Sequence, residues 1–189
     1  QMCIRDRLRS VPEVSAVAFL ECFVIPHMKN TTRWQSKVSL LRGLSVASNI
    51  FPMGVSACMP MIVPIVSEMM WDTKRQIKEQ AVLTMKDICG SIDNIDLEPF
   101  IPALIESIVD PEQVSECIYT LAGTTFVQTV TASALSITVP LLKRGFKERK
   151  TAIMRKCAVI TENMAKLVKN PNDVEPVSYT HLTLPTNCV

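Results

Sequence analysis

The sequence predicts an all-α protein assembled from stacked antiparallel helix pairs, and three observations carry that reading. Proline recurs at Pro26, Pro64, Pro102 and Pro140, each 38 residues on from the last. Hydrophobic residues make up 48% of the chain, aromatics only 5%, and there are just 5 glycines in 189 residues. That is the profile of Val, Ile, Leu, Met and Ala packed between helices. The neighbours of each proline repeat as well: Ile25, Val63, Ile101 and Val139 precede it, and Met28, Val66, Leu104 and Leu142 follow two places later.

In the last three units the pattern widens into a helical face. Met59, Val63, Val66 and Met70, then Leu97, Ile101, Leu104 and Ile108, then Leu135, Val139, Leu142 and Phe146 stand at i, i+4, i+7 and i+11. These segments are expected to be the first helix of each pair. A proline inside a helix removes one backbone hydrogen bond, so a kink at constant phase is expected in every unit. Polar corners follow: Asp72 to Lys74, Asp110 with Pro111, and Lys147 to Lys150. There Asp can cap the next helix and Pro can open its first turn.

The second helices carry Ile77, Ala81, Ile88 and Ile92 in one unit, and Ile153, Cys157, Ile160, Met164 and Val168 in another. Ile50, Ile88, Phe126 and Met164 again lie 38 apart. One amphipathic pair cannot bury its apolar stripe alone, so pairs must stack on neighbours. A two-helix unit close to 40 residues is the HEAT spacing, whereas tetratricopeptide and ankyrin units run to roughly 34 and 33. The expectation is an all-α HEAT-repeat solenoid of about four antiparallel helix pairs over residues 11–176. Residues 1–10 and 177–189 lack an apolar phase and read as non-domain flanks. QMCIRDR and VSYTHLTLPTNCV look like library-adapter sequence joined to a partial transcript, which would make the chain a fragment.

Chemistry is sparsely encoded. The seven cysteines, Cys3, Cys22, Cys58, Cys89, Cys117, Cys157 and Cys188, form no C-x-x-C pair, and with only 2 His they read as small core hydrophobes in a reducing compartment, without a metal site. The uncharged run from Cys117 to Leu142 is long enough to span a bilayer, but its Thr and Ser, with Gln128, Gly123 and Pro140, read against a span. Gly43, Gly54, Gly90, Gly123 and Gly145 stand alone, so no phosphate-cradling loop and no cofactor site are encoded. His181 lies in the tail and His27 beside a repeat proline, where a structural role is expected, and no catalytic triad follows. Glu68 and Asp72 offer the residue types of an acid and base pair, but Asp110 takes the place of Asp72 one repeat later, which favours capping. Trp71 is expected to seal an inter-repeat joint rather than stack a base.

The net charge of +2 is too small for bulk attraction to nucleic acid. Basic residues nonetheless gather at the corners: Lys29, Arg33 and Lys37; Lys74, Arg75 and Lys78; and Lys143, Arg144, Lys147, Arg149 and Lys150. In a solenoid such corners would line one edge and offer a basic stripe, which Asp110, Glu112 and Glu116 interrupt. An ordinary solvated surface balanced by Glu79 and Glu148 accounts for the same pattern.

The stretches RWQSKVSLLRGLSVAS, MWDTKRQIKEQAV, FIPALIESIVDP, TTFVQTVTASALSITVPLLKRGF and RKCAVITENMAKLV resemble the N-terminal HEAT domain of the translation elongation factor 3 family, over Arg33 to Pro176. Met70 to Lys74, Thr124 to Val127 and Val159 to Val168 match in wording and order, beyond apolar phase. The resemblance implies a cytoplasmic, ribosome-associated ABC-type ATPase that promotes release of deacylated tRNA from the exit site. ATP and Mg would be held in two cassettes that follow the HEAT repeats and are not in this chain. It implies that the HEAT region docks on rRNA and proteins of the small ribosomal subunit, alongside other translation factors, without a membrane or a small-molecule substrate. Lys74, Arg75, Lys78, Lys143, Arg144, Lys147, Arg149 and Lys150 are then the candidate contacts. Two alternatives stay open: the HEAT region of the ribosome-bound activator of the amino-acid-starvation kinase, and a general protein-interaction scaffold.

Overall fold

A computed structural model describes residues 12–169, so the flanks 1–10 and 177–189 lie outside the described residues. All regular structure among them is helical, apart from one isolated bridge between Val130 and Val168. The chain divides into two compact units, Gln1–Asp93 and Asn94–Val189.

The first unit opens with α1 (Glu13–Phe19), a π-helical segment (Leu20–Val24) and α2 (Ile25–Asn30), and returns through α3 (Trp34–Ile50). Its second pair is α4 (Pro52–Met69) and α5 (Arg75–Cys89). Stacking follows kind: α1 and α2 pack on α4, and α3 packs on α5. The centre is α4, whose Val55, Cys58, Met59, Ile62, Val63 and Val66 are completely buried. By length and composition this helix is apolar enough to cross a membrane, yet here half of it is buried inside a helical stack. Across the α3–α5 seam the buried Thr84 hydroxyl donates to the Leu41 carbonyl at 3.1 Å, Arg42 Nε donates to Gln80 Oε1 at 3.1 Å, and the Ser45 hydroxyl donates to Asp87.

The second unit enters through a 3₁₀ turn (Glu98–Phe100) into α6 (Ile101–Val109) and α7 (Gln113–Ala122), followed by α8 (Ala132–Gly145) and α9 (Thr151–Leu167). Again α6 packs on α8 and α7 on α9. The Thr131 hydroxyl accepts the Ala134 N–H and starts α8. The described residues thus form four helix pairs, each unit holding two. The run Cys117 to Leu142, long enough for a span, is broken by the irregular stretch between α7 and α8.

The apolar phases of the sequence become the core: Met59, Val63, Val66 and Met70, with Ile77, Ala81 and Ile88, are buried in the first unit, and Leu104, Ile108, Leu135, Val139 and Leu142, with Ile153, Cys157, Ile160 and Met164, in the second. Three details differ. First, Pro64 and Pro140 of the repeat prolines lie inside α-helices, joined in α4 by Pro60, and Pro26 lies inside the unbroken helical run 13–30, just past its π segment, whereas Pro102 does not follow an α-helical run. Pro102 stands in the first turn of α6, because the Asp- and Asn-rich segment before it does not propagate a helix. Pro26 stands in the first turn of α2, where the Ile25 N–H reaches back five residues to the Leu20 carbonyl and widens the turn. Second, Leu97, Ile92 and Phe126 are buried but lie in turns and loops just outside the helices, and Val168 lies just past the end of α9. Third, Ile50, Ile101 and Phe146 are only half-buried, and Pro111 precedes α7 by two residues.

At the end of α8 the chain passes so near its neighbours that only glycine fits. A Cβ on Gly145 would press into Ile118 Cδ1 and lie 2.5 Å from Cys157 Sγ, and both of those residues are fully buried. We expect Gly145→Ala to destabilise the protein by about 1–3 kcal/mol through overpacking, in spite of alanine's better helix propensity. Gly123→Ala, whose added carbon meets only Thr120 O at 3.5 Å and Tyr119 O at 3.8 Å, should be near neutral. Chemical denaturation of the two variants checks this; equal stability of both would refute the close-packed joint.

Candidate functional site

The corner between α4 and α5 is built around Asp72. One carboxylate oxygen accepts the Lys74 N–H at 3.0 Å and the other accepts Lys37 Nζ at 2.8 Å. Lys37 lies at the start of α3, so this ion pair joins the corner of the second pair to that of the first. The Lys37 hydrogen bond, followed by the backbone N–H of Lys74, holds the Asp72 carboxyl below its ordinary range. Asp110 repeats the local half of this arrangement, accepting the Glu112 N–H at 3.0 Å. Neither Asp caps the next helix as expected: the N-cap positions are Lys74 and Glu112, without a side-chain cap bond, and Asp72 and Asp110 brace the turn just ahead of them.

The candidate cations fall into two groups, one in each unit. In the first, Lys74 and Lys78 are exposed, while Arg75 lies 2.7 Å from Glu79 along α5. In the second, Lys143, Lys147, Arg149 and Lys150 are exposed. Arg144 is placed differently: its guanidinium donates to the carbonyls of Ser107 at 2.5 Å and Ile108 at 2.9 Å. These are last-turn carbonyls of α6, which have no partner within the helix, and a cation suits the negative end of the helix dipole. Arg144 is therefore a half-buried tie between α6 and α8 rather than a solvent-facing contact.

His27 Nδ1 lies 2.8 Å from the Phe23 carbonyl and its ring packs on Phe23, the structural role expected. Cys58, Cys89, Cys117 and Cys157 are buried, and desolvation pushes Cys89 up to about 12 and the other three to about 11. Cys22 departs from the expectation, being exposed on the outer face of the π segment. Cys3 and Cys188 lie outside the described residues. Trp71 lies where two corners meet but does not seal them: it is 48% exposed and walls an open cleft.

Sequence reasoning missed a second acidic anchor. The Asp96 carboxylate accepts the N–H groups of Val127 and Gln128, both at 2.7 Å, which lower its pKa. The Gln128 side-chain oxygen in turn accepts the Ile95 N–H at 2.9 Å. The TTFVQTV wording thus lies in a clasp between two loops of the second unit, for which the only sequence signal was the family-like wording itself.

Stacked helix pairs with like helix packed on like, at this repeat length, define a HEAT-repeat region. Comparison with known proteins agrees: the EF3 N-terminal HEAT repeat matches residues 1–85, and the Elongation factor 3/GNC1 HEAT repeat matches residues 112–184. Elongation factor 3 of Eremothecium gossypii is 47% identical over 81% of this chain and 15% of its own length. Elongation factor 3A of Saccharomyces cerevisiae is 44% identical over the same shares. Elongation factor 3 of Phytophthora infestans is 43% identical over 78% of this chain and 14% of its own. The chain belongs to the elongation factor 3 family, as part of its HEAT-repeat region, and spans about 15% of the length of these curated relatives.

Two predictions test the corner chemistry. Arg144→Ala should cost about 1–3 kcal/mol, since two carbonyls lose a charged donor, whereas Lys143→Ala and Lys147→Ala should change the unfolding midpoint little. A midpoint unmoved by Arg144→Ala would count against the tie. Because the folded carboxyl of Asp72 titrates below its unfolded value, its contribution is present above the ordinary carboxylate range near pH 4 and is lost as pH falls through the folded value. Asp72→Asn should therefore cost about 1 kcal/mol at pH 7, with the gap to the native protein closing on acidification, as measured by urea unfolding from pH 7 to 3.

Proposed function

We propose that this region is a ribosome-docking scaffold of a translation elongation factor, acting in the cytoplasm as the HEAT part of a longer ATP-consuming protein that promotes release of tRNA from the exit site. The observation that carries the proposal is the 44–47% identity to named elongation factors over about four-fifths of the chain. The exposed cations support it. Lys74 and Lys78 in one unit, and Lys143, Lys147, Arg149 and Lys150 in the other, are the side chains offered to rRNA phosphates or to acidic patches on small-subunit proteins. Arg75 takes part with its charge shared by Glu79, and Arg144 acts by holding α6 against α8. ATP and Mg belong, on this proposal, to other parts of the longer protein. The HEAT family matched over 112–184 joins elongation factor 3 with GNC1 in its description, and the curated relatives named above favour the first.

The test is co-sedimentation of the 189-residue chain with purified ribosomes across a salt series, with helicity followed in parallel. Binding should loosen as salt rises, because released counterions dilute into a more concentrated bath. Reversing charge at Lys143, Lys147, Arg149 and Lys150 together should weaken it roughly tenfold or more with the helices intact. A folded chain that never sediments with ribosomes would overturn the proposal.

A further inference from the structure

In the second unit α9 starts against the usual chemistry of a helix N-terminus. Lys150 holds the cap position without a side-chain hydrogen bond, and the first turn carries no acidic residue. A cap favours a short side-chain oxygen, and the positive end of the helix dipole favours a negative charge. Here it meets Lys147, Arg149 and Lys150, all exposed, none of them in an ion pair among the described residues. Arg155 is exposed one turn into the helix. The acid in this stretch is Glu148.

Thr151 stands at this point. It is the first residue of α9, it is exposed, and its hydroxyl makes no hydrogen bond among the described residues. Other hydroxyls are engaged: Thr131 starts α8, Thr161 donates to the Cys157 carbonyl at 2.9 Å, and Thr73 bonds to Asp72. Lys147, Arg149 and Lys150 lie four, two and one residues before Thr151. That is a charge pattern which an acidic kinase cleft selects. Residues 146–150 are irregular, and Lys150 is already extended at φ −82° and ψ 110°, as a segment laid in such a cleft must be.

We propose that Thr151 is a phosphorylation site for a serine/threonine kinase that selects basic sequences, and that its phosphate withdraws this corner from RNA. The proposal rests on the ribosome-docking reading and supplies its regulation. In the transfer the Thr151 hydroxyl oxygen bonds to the γ-phosphorus of ATP as that phosphorus parts from its bridging oxygen. The hydroxyl proton passes to the base of the kinase, and ADP leaves. The product carries about −1.5 to −2 at pH 7, placed where the dipole of α9 favours it and four residues before Arg155, on the same helix face. Lys147, Arg149, Lys150 and Arg155 against Glu148 give this stretch a formal charge of +3. The phosphate lowers it to about +1 and holds cations that otherwise meet RNA phosphates.

The test incubates the full 189-residue chain with ATP, Mg and an arginine-directed serine/threonine kinase, and maps the product by mass spectrometry. Modified and unmodified chains are then compared by thermal unfolding and by ribosome co-sedimentation. Phosphate should map to Thr151, be absent from that peptide in Thr151→Val, and be added several-fold more slowly when Arg149 and Lys150 are both changed to Ala. The phosphorylated chain should unfold roughly 1–4 °C higher, as a charge suited to the helix dipole requires. It should bind ribosomes roughly fivefold more weakly, with a shallower salt dependence, while unmodified Thr151→Val binds as the native chain does. Circular dichroism establishes that each variant is folded. No phosphate at Thr151, or a rate indifferent to Arg149 and Lys150, overturns the site. A lowered unfolding midpoint overturns the place given to the phosphate at the start of α9. Salt-sensitive ribosome binding that phosphorylation leaves unchanged overturns the regulation and spares the docking reading. A native chain that never binds ribosomes overturns the docking reading and the regulation together, and the mapped phosphate then decides the modification site by itself.

Discussion

Every element of this chain answers to one constraint: a pair of amphipathic helices leaves its apolar stripe uncovered until another pair is laid against it. The consequence in each unit is that like packs on like, first helix on first and second on second. That register puts Thr84 under the Leu41 carbonyl and Gln80 opposite Arg42, so the polar bonds across the seam follow from the apolar fit rather than cause it. It also brings successive corners together, which is how Lys37 and Asp72 come within 2.8 Å across 35 residues of sequence. The repeat length sets both the core and the surface where charged side chains collect.

Fold class and core were legible because burial at a 3.6-residue period leaves a direct trace in residue type. Met59, Val63 and Val66, or Ile153, Cys157 and Ile160, mark a buried face by their spacing alone. Helix starts were less legible. Pro64 and Pro102 occupy the same place in the period, yet one lies inside an 18-residue helix and the other opens a helix of 9, because the residues upstream differ in their ability to continue a helix. The exposed side of α4 tolerates its two internal prolines, since Pro60 and Pro64 both point away from the buried stripe and the carbonyls they leave unpaired can turn to water.

The candidate site was legible in its charges and not in their allocation. Nothing in the letters KRG distinguishes Lys143, which stays in solvent, from Arg144, whose partners are main-chain carbonyls of another helix. Backbone acceptors have no residue identity, so a sequence cannot signal them. The same holds for Asp96, whose bonds go to the N–H groups of a loop about thirty residues away. Trp71 failed for a related reason: side-chain area states how much a residue can bury, whereas the neighbouring corners decide how much it does.

The composition of α4 has a consequence for biosynthesis. As the chain leaves the ribosomal tunnel in order, this helix emerges before α5, its partner within the pair, and with a mean hydropathy of 1.3 over its 18 residues it resembles a membrane segment more than any other described helix. Among the described helices, α1, α2 and α3 are made before it and pack on it. The earlier pair is thus a surface on which the newly made helix can bury its apolar side before α5 follows, which would tie the folding order of a stacked repeat protein to its direction of synthesis.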